Sequence, residues 1–376
     1  MFELASPTRI AVGAGVIAQA APALAALGAK RVLLVTGKSS RHREALGASA
    51  SFVPFTIPSE PTLDMVVQGR AVAVRERCEA VVALGGGSAI DAGKAIAALA
   101  GLANTDGELL DYMEVIGKAQ PLPRPGLPCI AIPTTAGTGA EVTKNSVLAS
   151  PEAKVKASLR SPHLLPRLAL VDPDLLDGMP NAVLAMTGLD ALSHLLESFV
   201  SIRANAFTLG LGREGMLRLA RSLRPAFEHG LIPAGREDLA IASLFGGLCL
   251  ANSGLGAVHG FAAPLGGMWK APHGAVCAAL LPAVVRANVT ALAKRDPQSP
   301  VLGRYREIDQ VLGDDTATWT QNLRTALGTP GLASMGVRTE DVPLLVAKAK
   351  VASSMRGNPI VLTDDELTAI VRESMD

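Results

Sequence analysis

The sequence has few aromatic residues and almost no net charge. Only 3% of its 376 residues are Phe, Trp or Tyr, and 35 Lys and Arg residues face 34 Asp and Glu residues, which leaves a formal net charge of +1. Few aromatic rings give few stacking platforms for single-stranded nucleic acid. A balanced charge gives no general attraction to nucleic acid or to an anionic membrane surface. The composition therefore favours a small molecule over a polyanion as the binding partner.

Cysteines and long apolar runs are also scarce. Cys78, Cys129, Cys249 and Cys277 form no CxxC motif, and three of them have apolar neighbours, which predicts reduced core residues and no disulfide framework. No uncharged apolar stretch reaches about 18 residues. The N-terminus has an early acidic residue and no basic segment leading into a long apolar run. We therefore expect a soluble, cytoplasmic protein without a membrane-spanning segment.

The first half of the chain alternates strand-like and helix-like patterns. Helical patterns at residues 17–27 and 65–77 separate apolar, strand-like runs at 31–36, 80–84, 128–133 and 168–172. Strands that are apolar throughout, with helices between them, predict a parallel sheet that is covered on both faces. Ligands of such sheets bind beyond the carboxyl ends of the strands.

The second half has helical periodicity and no convincing strand from about residue 181 onward. Thr363 to Glu366 form a capping-box pattern, which predicts a terminal helix over 366–375. The length suits two domains, and the composition changes near 178–182. We therefore predict an α/β domain over residues 1–180 and an all-helical domain over residues 181–376.

Two glycine-containing loops follow predicted strands. The first, Leu-Gly-Gly-Gly-Ser at 84–88, runs into a helix pattern, and its glycines let backbone amides approach a phosphate beside the helix N-terminus. It is not a GxGxxG motif, and a tight strand–helix turn would use the same residues. The second loop, at 133–143, adds hydroxyl groups and further glycine amides. Together the loops indicate a site for the pyrophosphate of a dinucleotide.

Four residues have the chemistry and spacing of metal ligands. Asp190 and His194 lie four apart, which places both side chains on one face of a helix. His259 and His273 lie fourteen apart, and these clusters hold three of the six histidines. Singly, each residue has an ordinary structural interpretation, such as a helix cap or a hydrogen-bonded core histidine. Together, one carboxylate and three imidazoles suit Fe(II) or Zn(II).

These motifs, in this order, resemble the iron-containing (group III) alcohol dehydrogenase superfamily, which shares the dehydroquinate synthase-like fold. The resemblance runs from about residue 5 to the C-terminus and rests on residues 85–91, 133–143, 188–194 and 259–282. It implies a Rossmann-like nucleotide-binding α/β domain, an all-α C-terminal domain and an active site in the cleft between them. The implied activity is metal-dependent hydride transfer between NAD or NADP and a primary alcohol or aldehyde, in a homodimer or larger homo-oligomer.

The resemblance also implies roles for individual residues. The metal positions match Asp190, His194, His259 and His273, of which His259 and His273 are also expected to be catalytic. Lys156 matches a lysine near the nicotinamide ribose, and Leu175 or Leu176 matches an apolar contact on the adenosine side. The remaining positions expected to bind the cofactor are Gly85, Gly86, Gly87, Ser88, Asp91, Thr134, Thr135, Thr138 and Thr143.

One departure from the family pattern concerns the choice of cofactor. Many NAD-preferring members have an aspartate directly after the strand at 31–36, whereas this chain has Gly37, followed by Lys38, Ser39, Ser40 and Arg41. Loss of the carboxylate removes repulsion against a 2′-phosphate, and the following residues offer donors and positive charge. We therefore expect Gly37, Ser39 and Ser40 to contact NADP. If Lys38 and Arg41 are only solvated surface charges, NAD remains the cofactor.

A second departure concerns proton transfer. Several members have a histidine four residues after the position of His259, where this chain has Ala263. The route by which the proton is transferred is therefore not predicted by the family pattern.

Three alternative functions remain at this point: a maleylacetate reductase-like carbonyl reductase, a dehydroquinate synthase-like lyase and a catalytically silent member. The sequence does not identify the alcohol or aldehyde.

Overall fold

The computed structural model describes residues 2–39, 41–47, 50–102, 107–269 and 271–376. Ser40, which the sequence places in the segment expected to contact NADP, lies outside the described residues. The chain divides into two compact units, Leu4–Asp177 and Gly178–Asp376.

The first unit is built on a parallel sheet of six strands in the order β1-β8-β5-β4-β2-β3. Its strands are β1 (Ile10–Val12), β2 (Arg31–Gly37), β3 (Ser51–Ile57), β4 (Ala80–Gly85), β5 (Cys129–Pro133) and β8 (Leu168–Val171). Its helices are α1 (Ala20–Ala26), α2 (Leu63–Arg75), α3 (Gly87–Ala100) and α4 (Leu109–Tyr112). Leu33 and Val35 of β2 belong to one apolar core cluster, while Val32 and Leu34 belong to another. The predicted parallel sheet with both faces covered is confirmed.

The sequence patterns missed several strands of this unit. β3 is an edge strand whose middle residue is Pro54, and proline is tolerated at a sheet edge although it reads as a strand breaker. A separate antiparallel hairpin consists of β6 (Asn145–Ser150) and β7 (Val155–Arg160). Its residues are buried on one side and more exposed on the other, so its hydrophobic signal is weak.

The second unit is helical, and none of its described residues forms a strand. Its helices are α5 (Asn181–Val200), α6 (Ala206–His229), α7 (Pro233–Ser253), α8 (Ala257–Met268), α9 (His273–Arg295), α10 (Pro300–Leu312), α11 (Thr316–Ala326), α12 (Val342–Val351) and α13 (Asp364–Glu373). The predicted capping box is present, because Thr363 Oγ1 accepts from Glu366 N while Glu366 Oε2 accepts from Thr363 N. It caps a helix that begins at Asp364, two residues before the predicted start.

Two helices of this unit are unusually apolar. By length and composition alone α5 and α9 are able to cross a membrane, as is the bent pair α7 and α8 if it is counted as one span. However, 83% of the apolar window of α5 and 78% of that of α9 are buried inside the protein. Their apolar character is therefore that of core helices, and both also carry predicted metal ligands.

Candidate functional site

Three polar side chains lie along one face of α5. Asp190, His194 and Glu197 follow one another at four and three residues, which places them on successive turns of the same face. All three are buried, with 2%, 3% and 5% of their surface exposed. Burial of carboxylates and imidazoles costs free energy unless these groups are paired or bind a metal. This face of α5 is therefore expected to be paired with polar groups or to bind a metal.

Glu197 joins α5 to the start of α8. Its Oε1 accepts a hydrogen bond from Val258 N at 2.6 Å, and its Oε2 lies 2.7 Å from His259 Nδ1. A carboxylate is favoured at a helix N-terminus, and Asn358 Oδ1 accepts from the preceding amide, Ala257 N, at 3.1 Å. A neutral His259 ring that donates from Nδ1 to this carboxylate leaves its Nε2 with the lone pair. The sequence analysis did not identify Glu197, although its spacing from Asp190 and His194 was a signal.

The four predicted metal ligands converge. The Nε2 atoms of His259, His273 and His194 lie 3.4, 3.6 and 3.7 Å from Asp190 Oδ1. These distances are too long for good hydrogen bonds. They suit ligands of one tetrahedral ion with bonds near 2.1 Å, whose donor atoms lie about 3.4 Å apart. Within the described parts of the chain, Asp190 Oδ1 is buried without a hydrogen-bond partner, so the residues present fit a shared divalent ion.

A fifth donor lies in the same place. Cys277 is one helical turn beyond His273 on α9 and is fully buried. Its Sγ is 3.7 Å from His259 Nε2 and 3.8 Å from His273 Nε2. The ligand atoms of Asp190, His259, His273 and Cys277 all lie within 4.8 Å of one another. The sequence analysis treated Cys277 as a core residue, and its i,i+4 spacing from His273 was the overlooked signal. The ring of His194 stacks on that of His259, with centroids 4.7 Å apart.

The charge at the centre follows from its surroundings. Burial alone would raise the pKa of Asp190, but His194, His273 and His259 together lower that pKa well below its ordinary value. Burial raises the pKa of the Cys277 thiol to about 12. The Asp190 carboxylate is therefore held in its ionised form, the form in which a carboxylate binds a metal ion.

The two glycine loops of the first unit lie side by side. β4 and β5 are parallel neighbours, and Thr134 N donates to Gly85 O at 3.0 Å where these strands end. A Cβ atom added at Gly87 would lie 2.6 Å from Thr138 Cγ2, and one added at Gly86 would lie 3.4 Å from Thr135. A residue larger than glycine at position 87 would therefore displace the Thr138 side chain of the second loop.

The segment expected to select between NAD and NADP lies beside the carboxyl ends of the same strands. Gly37 ends β2, the other neighbour of β4, and a Cβ atom at Gly85 would come 3.2 Å from Gly37 N. Lys38 and Ser39 are exposed. Arg41 donates from Nη1 to the backbone oxygen of Asp177 at 3.1 Å. The structure thus brings Gly37 to the glycine loop and leaves Lys38 and Ser39 facing solvent.

A fully buried lysine ties α3 to the second loop. Lys94 Nζ lies 3.0 Å from Asp91 Oδ1, donates to Ala140 O at 2.8 Å and donates to Thr143 Oγ1 at 3.0 Å. Asp91 and Thr143, both expected to contact the cofactor, therefore also hold this lysine. Burial raises the pKa of the neighbouring Glu141 to about 7, and the Lys94 ammonium opposes the rise. Lys94 was not predicted as a site residue, although its i,i+3 spacing from Asp91 on an apolar helix was visible in the sequence.

The remaining predicted residues are dispersed around the first unit. Ser88 is half-buried in the first turn of α3. Lys156 lies on β7, where its Nζ is 2.6 Å from Glu60 Oε1. Leu175 is buried in the apolar core, in the single helical turn Pro173–Leu176. In the second unit Ala263 is half-buried, one turn along α8 from His259.

Comparison with known proteins identifies the family. Residues 7–173 match the family model described as iron-containing alcohol dehydrogenase, and residues 184–375 match that of the Fe-containing alcohol dehydrogenase family, C-terminal. The chain is 33% identical to 1,3-propanediol dehydrogenase of Klebsiella pneumoniae, over 100% of this chain and 99% of that protein. It is also 33% identical to lactaldehyde reductase of Escherichia coli K12, over 89% and 87% of the two chains.

The fold agrees with this identification. The solved structure of a 1,3-propanediol oxidoreductase superposes with a TM-score of 0.91 at 32% identity, and the match covers 100% of both chains. Members of the matched family use NAD(H) and a divalent metal. The chain therefore belongs to the iron-containing alcohol dehydrogenase family and is a metal-dependent, NAD(P)-linked alcohol dehydrogenase or aldehyde reductase.

Proposed function

We propose that Asp190, His194, His259 and His273 bind one catalytic divalent ion, Fe(II) or Zn(II). The observation that carries this proposal is the convergence of three imidazole Nε2 atoms, at 3.4 to 3.7 Å, on the buried Asp190 Oδ1. When bound, such an ion acts as a Lewis acid toward the oxygen of an alcohol or aldehyde. One carboxylate and three neutral imidazoles leave a divalent site with net positive charge, which suits that task.

The protein's own residues prepare this centre. Glu197 fixes the tautomer and the ring orientation of His259, so that its Nε2 faces Asp190. His259 and His273 are the proposed catalytic histidines, because they approach Asp190 Oδ1 most closely. Ala263 has no titratable group, so the proton route does not pass through this position of α8.

We further propose that the two glycine loops hold the pyrophosphate of the cofactor. Gly85 to Ser88 lead into α3, whose first backbone amides have no partner within the helix and carry the positive end of its dipole. Thr134, Thr135 and Thr138 face these glycines from the second loop, while Asp91 and Thr143 set its position through Lys94. Lys156 and Leu175 are proposed to contact the nicotinamide ribose and the adenosine side.

NADP is the proposed preferred cofactor. The end of β2 has Gly37 and no carboxylate, and exposed Lys38 and Ser39 follow it. A 2′-phosphate meets no repulsion there and finds a nearby cation. Arg41, held to the Asp177 backbone, contributes positive charge from a fixed position. Introducing a carboxylate by Gly37→Asp should shift the preference toward NADH.

The proposed substrate is a short primary alcohol or its aldehyde. The relatives named for 1,3-propanediol and lactaldehyde support this size class. We also propose that residues 1–180 form the nucleotide-binding domain and residues 181–376 the metal-binding domain. The protein is proposed to be a cytoplasmic homodimer or larger homo-oligomer. Light scattering of the purified protein tests the oligomeric state.

One experiment tests the central proposal. The metal-reconstituted protein is mixed with NADPH or NADH, with and without short aldehydes, and nicotinamide fluorescence is followed together with metal content. His194→Ala should lose metal and turnover together, whereas His229→Ala, an exposed histidine near the end of α6, should lose neither. Full activity of His194→Ala with stoichiometric metal would contradict the ligand assignment. Stronger NADH binding would overturn the cofactor preference alone.

A further inference from the structure

Cys277 has the position of a metal ligand. It lies on α9 four residues after His273, so that both side chains extend from one face of the helix. Its Sγ is 3.7 Å from His259 Nε2 and 3.8 Å from His273 Nε2. The sulfur is therefore aligned with the two imidazole nitrogens that face Asp190, and not with the apolar core on the other side of α9.

The spacing fits a shared ion. With metal–nitrogen bonds near 2.0 to 2.1 Å and a metal–sulfur bond near 2.3 Å, tetrahedral geometry separates sulfur from nitrogen by about 3.6 Å. The two observed distances lie within about 0.2 Å of that value. Asp190, His259, His273 and Cys277 form a four-donor set whose ligand atoms lie within 4.8 Å of one another.

A second observation points to the same location. Asp190 is 2% exposed, and among the residues described its Oδ1 has no hydrogen-bond partner although four donors surround it. An unsatisfied buried carboxylate oxygen is expensive unless a cation takes its lone pairs. Cys277, which is itself 0% exposed, completes the enclosure of that oxygen.

Resting on the proposed metal site, we infer that Cys277 is a further ligand of the same ion and makes the site selective for a thiophilic divalent metal. Ligation converts the thiol to a thiolate and releases one proton to solvent. Thiolate donors favour zinc over hard cations such as Mn²⁺ and Mg²⁺. A centre of one thiolate, three imidazoles and one carboxylate has no net charge with a divalent ion bound, and because one donor is a thiolate it binds zinc in preference to manganese.

Cobalt(II) reconstitution of the full chain tests this inference. Any bound Co(II) produces visible d–d bands, but only a thiolate ligand adds a near-ultraviolet charge-transfer band. We expect both features in the native protein and in Cys249→Ala, a control that removes another buried cysteine, whose Sγ contacts Thr208 O instead. In Cys277→Ala and Cys277→Ser the charge-transfer band should disappear while the d–d bands remain, and the preference for zinc over manganese should fall.

The outcomes separate this inference from the metal site itself. Visible d–d bands without a charge-transfer band in the native protein overturn the role of Cys277 and leave the histidine and aspartate ligands in place. A charge-transfer band that survives in both Cys277 variants also overturns it. If the native protein binds no cobalt, the proposed metal site fails, and the inference fails with it. The native spectrum decides these points even if a variant does not fold.

Discussion

Replacement of Glu197 by glutamine is the sharpest test of how the metal centre is prepared. Glu197 accepts two hydrogen bonds, from Val258 N at 2.6 Å and from His259 Nδ1 at 2.7 Å, and it is only 5% exposed. A glutamine has one acceptor oxygen and one donor amide. If its oxygen accepts from His259, its NH2 group faces the N–H of Val258, and two donors then meet without an acceptor. If its amide faces His259, the ring changes tautomer and protonates Nε2, which can then no longer bind a metal.

Either arrangement should weaken the metal site. Loss of a partner that orients a metal-binding histidine costs roughly 10- to 100-fold in metal affinity, or about 1.4 to 2.7 kcal/mol. Competition titration of zinc against a chelator measures this change in Glu197→Gln. The control is Glu214→Gln on α6, whose side chain is half-buried and pairs with Arg218 away from the proposed metal ligands.

Two further measurements show where the effect arises. Long-range ¹H–¹⁵N spectra of the histidine rings report the tautomer of His259 directly. The variant Glu197→Asp retains a carboxylate acceptor and should recover part of the zinc affinity that Glu197→Gln loses. An unchanged zinc affinity in Glu197→Gln would refute the reasoning. A loss of affinity with an unchanged His259 tautomer would assign the effect to the start of α8 instead.

The nucleotide-binding unit provides further predictions. Gly87→Ala places a Cβ 2.6 Å from Thr138 Cγ2 and so displaces the Thr138 side chain, which should weaken NADPH binding by about 1–3 kcal/mol. Gly210→Ala, with no atom within 4 Å of its added Cβ, should leave NADPH binding unchanged. Burial raises the pKa of Glu141 to about 7, so its contribution to stability is complete below pH 4.5 and disappears as the pH rises through 7. Glu141→Gln should therefore remove about 3 kcal/mol of the change in unfolding free energy between pH 4.5 and pH 7, measured by urea unfolding. The same change in unfolding free energy with pH in both proteins would contradict this prediction. Lys94→Met removes the buried ammonium that pairs with Asp91 and donates to Ala140 O, Thr143 Oγ1 and Asn145 O. It should lower the free energy of unfolding by about 3–5 kcal/mol, and an unchanged denaturation midpoint would contradict the role of Lys94 in tying α3 to the second loop.

The sequence predicted the sheet because its strands are apolar on both faces. The runs at 31–36 and 80–84 became β2 and β4, since a parallel strand covered on both sides has an unmistakable composition. β3 escaped prediction because Pro54 interrupts it, and its place at the sheet edge, which makes the proline acceptable, is a property of the assembled sheet.

The candidate site was predicted only in its outline. Asp190, His194, His259 and His273 have a recognisable chemistry and spacing, and they do converge. The sequence did not indicate that Glu197 would meet His259, which is 62 residues away in the chain. Nor did it indicate that the Cys277 sulfur of α9 would approach His259 Nε2 of α8. Contacts of this kind depend on how helices pack, which local periodicity does not encode.

The composition of α5 has a consequence for the newly made chain. This helix has the length and apolar content of a membrane-spanning segment, and before the protein folds its apolar faces have no protein partner. Asp190 is the tenth of its twenty residues, the depth at which an aspartate opposes insertion into a bilayer by about 3 kcal/mol. The carboxylate that we propose holds a cation in the finished enzyme therefore also opposes insertion of the nascent segment into lipid.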